Sequence, residues 1–248
     1  MRIIFTLLVA LQAMSQQPAD SIAKSNPTIL FKPQALLIPA ALMTYGVVAV
    51  KSDLLQHINT DIRNEFREDI DRKFTIDDFS QYAPALSVYA LNNAGISGKH
   101  DLKERSIIVA TGYLLMSASV LTLKSATRIE RPDGTSRNSF PSGHTATAFL
   151  GAEFLWQEYK DVSVWYGIAG YAVAAGTGYF RMYNGRHWLS DVAMGAGIGI
   201  LSAKAAYWLF PCLDRWLFSE SAGSVSLDPY YDGRTSGICI IWQPKIWQ

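Results

Sequence analysis

Three short stretches of this chain hold residues suited to chemistry on a phosphoryl group. The first runs from Lys124 through Arg128 to Arg131 and Pro132, the second is Pro141-Ser142-Gly143-His144, and the third is Arg181 followed by His187 and Asp191. Strong cations can bind phosphoryl oxygens, and a glycine turn at a helix start can bring backbone amides to them. Two histidines, one with a carboxylate four residues on, can attack phosphorus and protonate what leaves.

Each stretch also has a plainer reading. Lys124, Arg128 and Arg131 stand at i, i+4 and i+7, so a helix continuing from Ile107 would carry all three on one face, where they need an anion. Pro132 then disfavours helical geometry at the residue before it, and Asp133-Gly134 turns the chain away. The plainer reading is the basic end of a juxtamembrane helix. Ser142 is a favoured N-cap and Gly143 permits close backbone approach, which leaves free amides facing an anion with the helix dipole behind them. Standing alone, this is an ordinary capped helix with an incidental histidine. His187 and Asp191 lie one helical turn apart, so the carboxylate can hold one imidazole nitrogen and leave the other to act as a nucleophile. Arg181, separated from them by the turn signal Asn184-Gly185, can fork two phosphate oxygens. A helix-surface His/Asp pair without a role is the bland alternative.

The ordered combination outweighs these separate readings. Lys-x6-Arg-Pro, then Pro-Ser-Gly-His, then Arg-x5-His-x3-Asp resembles the signature of the phosphatidic acid phosphatase type 2 family, which also includes bacterial nonspecific acid phosphatases and vanadium haloperoxidases. The resemblance covers Lys124 to Asp191. It implies that Lys124, Arg131 and Arg181 hold the phosphoryl oxygens with help from Ser142 and the Gly143 amide. It implies further that His187, oriented by Asp191, forms a phosphohistidine, and that His144 protonates the leaving oxygen and later activates water. No metal and no cofactor is implied, since the cations do the electrostatic work that magnesium does elsewhere. One departure stands out: Phe180 precedes Arg181 where the family often has serine, which bears on fine substrate preference only. Arg128 and Arg186 lie outside the usual pattern.

The elements that must position these residues are legible in outline. The 248 residues suit a single domain, 49% of them apolar and 17% charged, with a mean hydropathy of +0.09. A net charge of +1 argues against a nucleic-acid partner. Cys212 and Cys239 are too few for a disulfide framework or a zinc site; a single bridge between them stays open if that region is extracytoplasmic. Apolar runs at Ala35 to Val50, Tyr82 to Ala94, Ile107 to Leu123, Thr145 to Trp156, Val162 to Phe180 and Val192 to Phe210 predict helices. Of these, Ile107 to Leu123, Val162 to Phe180 and Ala35 to Val50 suit membrane spans, whereas others carry Asn92 and Asn93, Glu153 or Lys204. The mixed-charge stretch from Lys51 to Gln81 predicts a solvated amphipathic helix without a phosphate signature. Small residues, among them Gly167, Gly170, Gly176, Gly178, Gly195, Gly197 and Gly199, predict close helix packing. His57 and His100 read as surface histidines.

The expected fold class is therefore an all-α, membrane-embedded bundle of about five to six helices, with a short C-terminal β-hairpin suggested by Asp232-Gly233 between two strand-like segments. The expected division is a signal peptide at 1–15, a polar linker at 16–32, a helical catalytic domain at 33–218 and a strand-like tail at 219–248. Apolar helices around the site point to a lipid-linked phosphate monoester or diphosphate as substrate, and the membrane itself is the other expected partner. The loops carrying Arg131 and Arg181 should emerge on one face, opposite the Gly98 to Arg105 loop with its Lys99, Lys103 and Arg105. That basic loop reads as cytoplasmic, which puts the site in the periplasm. With a cleaved leader this holds only if one early run, Tyr82 to Ala94, does not cross. A soluble periplasmic acid phosphatase is the first alternative; a noncatalytic lipid-phosphate binder and a vanadium haloperoxidase are the others.

Overall fold

A computed structural model of the protein describes residues 33–69, 75–218, 224–231 and 236–243, with side chains described for 33–66 and 75–217. The expected leader at 1–15 and the whole of the expected linker at 16–32 lie outside the described residues. After a 3-10 turn at Pro33–Leu36 come eight α-helices: α1 (Leu37–Lys51), α2 (Asp53–Asp69), α3 (Ile76–Ser80), α4 (Ala83–Asn93), α5 (Leu102–Thr127), α6 (Gly143–Tyr159), α7 (Val164–Tyr183) and α8 (Leu189–Phe218). Two strands follow, β1 (Ser224–Tyr231) and β2 (Ser236–Gln243), paired antiparallel with each other.

The expected fold class needs correction. The described residues form an all-α bundle of eight α-helices rather than five to six, and the ladder of β1 and β2 is no part of it. The count rises because the polar stretch from Lys51 to Gln81 breaks into α2 and α3. The bridge between Cys212 and Cys239 falls on a side chain outside the described residues; Cys212 itself is exposed.

Local sequence explains the main helices. Asp101 and Glu104 close a reciprocal capping box at the start of α5, Glu104 N–H donating to Asp101 Oδ1 at 2.8 Å and Asp101 N–H to Glu104 Oε2 at 3.2 Å. Ser142 and Ser163 cap α6 and α7. Helix α6 is the hub, packed on α4, α5, α7 and α8. Its contact with α8 is made through backbone: a Cβ on Gly195 would lie 2.4 Å from Ser142 O, and one on Gly199 would lie 2.3 Å from Ala146 O. Gly197 meets α1 in the same way, 2.8 Å from Pro39 O. Close packing is thus what these glycines serve, while Gly176 has open space where its side chain would be.

Among the described residues three helical stretches are long and apolar enough to cross a membrane: Pro33–Lys51, Leu102–Thr127 and Leu189–Leu217. Leucines on α5 such as Leu114 and Leu121 are largely exposed, as a bilayer-facing surface requires. The set differs from the expected one in its third member. Helix α7 contains tyrosines, a tryptophan and four glycines that dilute its hydropathy. Helix α8 qualifies despite Lys204, whose ammonium is turned inward to Glu153 Oε1 at 2.6 Å. Glu153 is 2% exposed, and Tyr171 and Gln157 also donate to it.

The bundle has two distinct ends. The C-terminal ends of α5 and α7 and the N-terminal ends of α6 and α8 meet at one of them, where Ser142 N–H donates to Asp191 O at 3.0 Å and Asp133 N–H to Gly185 O at 3.1 Å. At the other end the loop before α5 docks on α6, with Lys99 N–H donating to Glu158 O at 3.1 Å. His100 is no surface residue: its Nδ1 lies 2.7 Å from Glu158 Oε1, and Glu158 also accepts from Tyr207. Helix α4 connects the two ends. It follows α3, which reaches His144, and its last turn carries Asn92, whose Oδ1 accepts from Arg105 at 2.9 Å. The Tyr82 to Ala94 run therefore packs along α6 between the two ends, and it is not among the stretches long and apolar enough to cross a membrane.

Candidate active site

All eight residues singled out by the three motifs lie at the first end. Lys124 occupies the last turn of α5 and donates through Nζ to the carbonyl of Asn138. The helix stops at Thr127, because Arg128 adopts a left-handed conformation at φ 49°. The expected single face carrying Lys124, Arg128 and Arg131 is therefore not formed. Arg128 is exposed and turns back to Ser125 O. Arg131 reaches the site from a turn instead, its N–H donating to Ser136 O at 3.0 Å.

Ser142 is fully buried and acts as the N-cap of α6, its Oγ accepting from Thr145 N–H and sharing a 2.8 Å hydrogen bond with Thr145 Oγ1. Gly143 and His144 are the first residues of α6, so their amides have no intrahelical acceptor and are available to an anion.

Asp191 is fully buried and its Oδ2 is fixed by the Ser139 hydroxyl and by Trp188 N–H at 2.9 Å. That oxygen lies 3.4 Å from Nδ1 of His187. Burial pushes His187 down to about 4; the charges of Arg181 and Lys124 act in the same direction and Asp191 opposes them. The imidazole is consequently neutral through the physiological range, the form a nucleophile needs.

Arg181, 7% exposed in the last turn of α7, shows what sequence reading missed. Its Nη1 donates to Asp77 Oδ2 at 2.5 Å and lies 3.5 Å from Asp78 Oδ1. Asp77, 1% exposed, also accepts from Asn184 Nδ2 at 3.0 Å, and Asp78 Oδ1 lies 3.0 Å from His144 Nε2. Burial lowers the His144 pKa and Arg181 lowers it further, while the hydrogen bond to Asp78 works against both. Arg131 is also held below the ordinary guanidinium value, first by burial and then by Arg181 and Arg186.

A second layer steadies the loops. Gly185, at φ 66°, makes the turn after Asn184, and Arg186 Nη1 donates to Asp133 Oδ2 at 3.2 Å. From α2, Arg63 donates to Pro132 O at 2.9 Å and covers the ring of Trp188 at 5.8 Å, while Asn59 and Ser190 exchange hydrogen bonds. No periodicity in Lys51 to Gln81 marks Asn59, Arg63, Asp77 or Asp78, because each acts through a distant partner. The only hint was the pair Asp77-Asp78 flanked by apolar Ile76 and Phe79.

The arrangement has a surplus of convergent donors. Nε of both Arg131 and Arg181 is buried without a hydrogen-bond partner among the described residues. Lys124, Arg131 and Arg181 stand close enough to repel one another, which an anion between them would relieve. A cavity of about 660 Å³ opens beside Arg131, walled by Arg63, Phe66, Tyr183 and Trp188; of the motif residues, Arg131 and its neighbour Pro132 line it. Among the described residues no group of three or more His, Cys, Asp or Glu could hold a metal ion.

Residues 98–214 match the family described as the PAP2 superfamily. The chain is 34% identical over 227 residues to the lipid A 1-phosphatase of Porphyromonas gingivalis, an alignment covering 86% of this chain and 50% of that protein. It is 36% identical over 76 residues to the bacitracin transport permease protein BcrC of Bacillus licheniformis, covering 31% of this chain and 36% of the relative. The chain thus spans half or less of the length of these relatives. Among solved structures it is similar to LpxE of Aquifex aeolicus, with a TM-score of 0.45 and 25% identity over 61% of this chain and 93% of the other. A PAP2-type phosphatidylglycerolphosphate phosphatase of Bacillus subtilis gives a TM-score of 0.43 and 19% identity, over 73% and 97%.

Proposed function

Because this chain belongs to the PAP2 superfamily, we propose that it is a metal-independent membrane phosphatase that hydrolyses lipid-linked phosphate through a phosphohistidine. The observation that carries this reading is the pairing of a buried, neutral His187 with unpartnered arginine nitrogens at one end of an apolar bundle. Lys124, Arg131 and Arg181 hold the phosphoryl oxygens, and the amides at Gly143 and His144 add two more donors. His187 Nε2 attacks phosphorus while Asp191 steadies Nδ1. His144 gives a proton to the leaving oxygen and then takes one from the water that cleaves the phosphorus–nitrogen bond, releasing inorganic phosphate and restoring His187.

The substrate class follows from the surroundings and from the relative of known activity. Exposed leucines on α5 support a site within reach of a bilayer, and the cavity beside Arg131 supports a substrate with a head group. A lipid A-type 1-phosphate is the preferred substrate, given the 34% identity to a lipid A 1-phosphatase. The test is phosphate release by the detergent-purified protein in EDTA from lipid A, phosphatidate, an isoprenoid diphosphate and a soluble aryl phosphate. Release in EDTA is expected, greatest from lipid A. Equal release from the aryl ester would favour a soluble-type acid phosphatase, and release abolished by EDTA would overturn the metal-free mechanism.

The site faces the periplasm in this proposal, because the basic loop with Lys99 and Lys103 lies at the opposite end. Helix α1 enters from that same opposite end, so the segment before Pro33 would be cytoplasmic. A leader cleaved near Ser15 would instead leave that segment outside and reverse the site. Single cysteines at exposed Arg137 and Asp161 decide between them: an impermeant thiol reagent on intact cells is expected to label position 137 and spare position 161. The opposite pattern would put the site in the cytoplasm.

A further inference from the structure

We propose that Asp78 is a positioning residue for His144, holding it as the proton donor to the leaving group; this rests on the phosphatase reading above. The geometry is specific. Asp78 Oδ1 lies 3.0 Å from His144 Nε2, with Arg181 Nη1 3.5 Å from the same oxygen. Helix α3 is itself fastened to the bundle on both sides of that contact. Asp77 is locked to Arg181 and Asn184, Ser80 Oγ lies 2.8 Å from Thr177 Oγ1, and Gln81 Nε2 donates to the Asp78 carbonyl at 2.8 Å. The Asp78 carboxylate is therefore delivered to His144 by fixed backbone.

The two neighbouring carboxylates divide the work. Asp77 is buried and serves the phosphate-binding arginine, whereas the Asp78 side chain is 51% exposed and serves the histidine. With Nε2 held by Asp78, Nδ1 is the atom that faces the reaction. The site then contains two histidine–carboxylate pairs of opposite purpose: Asp191 orients a nucleophile that must be neutral, and Asp78 supports an imidazolium that must form beside Arg181. As His187 bonds to phosphorus, the phosphorus–oxygen bond to the lipid breaks and its electron pair takes the Nδ1 proton. His144 is left neutral, its Nε2–H still donating to Asp78. Water next gives a proton to Nδ1 as its oxygen attacks phosphorus, and the bond to His187 breaks with its electron pair returning to nitrogen.

Asp78→Asn keeps the shape of the side chain and removes its charge. The experiment compares this variant with the wild type on dioctanoyl phosphatidate and on the analogue with sulfur as the bridging atom, whose thiolate leaves without a proton. Loss of about 10²-fold in kcat/KM, which reports the steps up to departure of the leaving group and not the later attack of water, is expected on the oxygen ester, with only a few-fold loss on the sulfur analogue. His144→Ala should show the same selectivity. Equal loss on both substrates by Asp78→Asn would reduce Asp78 to a structural role, and a gain in rate would make it a competitor of phosphate; either outcome overturns the proposal, as does an unchanged rate. If His144→Ala is selective and Asp78→Asn is not, only this inference falls. If His144→Ala itself shows no selectivity, or the wild type hydrolyses neither compound nor lipid A, the underlying mechanism falls first.

Discussion

Replacing His187 with alanine should lower kcat by about 10⁴-fold or more on any lipid phosphate the protein hydrolyses, because the residue that makes the covalent bond to phosphorus is gone and the remaining members act as a unit with it. The fold should survive. His187 is 3% exposed and its Nδ1 has no well-formed hydrogen bond, so truncation removes few favourable contacts and relieves Asp191 of a partner at 3.4 Å, while Ser139 and Trp188 continue to hold that carboxylate. The check is single-turnover hydrolysis beside a thermal melt in detergent, together with acid-labile trapping of radiolabelled phosphate on the wild type alone. Near-normal turnover by the folded variant, or a trapped phosphate that persists in it, would remove His187 from the nucleophile's place.

Arg181→Ala has the second largest expected effect, and it acts on two properties at once. Loss of a charge-assisted donor to the phosphoryl group should lower kcat/KM by about 10²- to 10³-fold. The same change strands Asp77, which is 1% exposed and loses its 2.5 Å ion pair, and breaking a buried pair on one side costs about 3 to 5 kcal/mol. The double variant Arg181→Ala/Asp77→Ala should recover much of the lost stability and none of the activity. Comparing the three variants by thermal melt and steady-state rate separates the effects. If the double variant melts as low as the single one, the Asp77 pair is not what holds α3 in place.

The sequence-level reading succeeded where function and local structure coincide. Ser142 caps α6, Asp191 stands one turn from His187, and Arg181 ends α7, so their spacings alone carry their placement. It failed where the chain does something spacing does not encode. Arg131 was expected to share a helix with Lys124, but the left-handed Arg128 ends that helix and a turn brings Arg131 back. Asp77 and Asp78 lie about a hundred residues from Arg181, and such pairs follow from tertiary packing, not from any period. Lys204 was counted against a membrane span because its partner Glu153, fifty-one positions away, could not be seen beside it. His100 was misread for the same reason, its partner Glu158 lying on another helix.

That inward pairing of α6 with α8 also bears on how the protein is made. Glu153 and Glu158 both lie on α6, and their charged or hydroxyl partners Lys204 and Tyr207 belong to the last long helix of the bundle. As the chain leaves the ribosome, α6 presents Glu153 before Lys204 and Glu158 before Tyr207 has been synthesised, while His100, which also holds Glu158, is already made. Neither α6 nor α7 is among the stretches apolar enough to cross a membrane unaided. The pair must therefore wait at the insertion channel or the bilayer surface until α8 arrives, and the three helices settle together. The catalytic end, drawn from α5, α6, α7 and α8, comes into being only at that late step, so a nascent chain stalled before Lys204 has every motif and no active site.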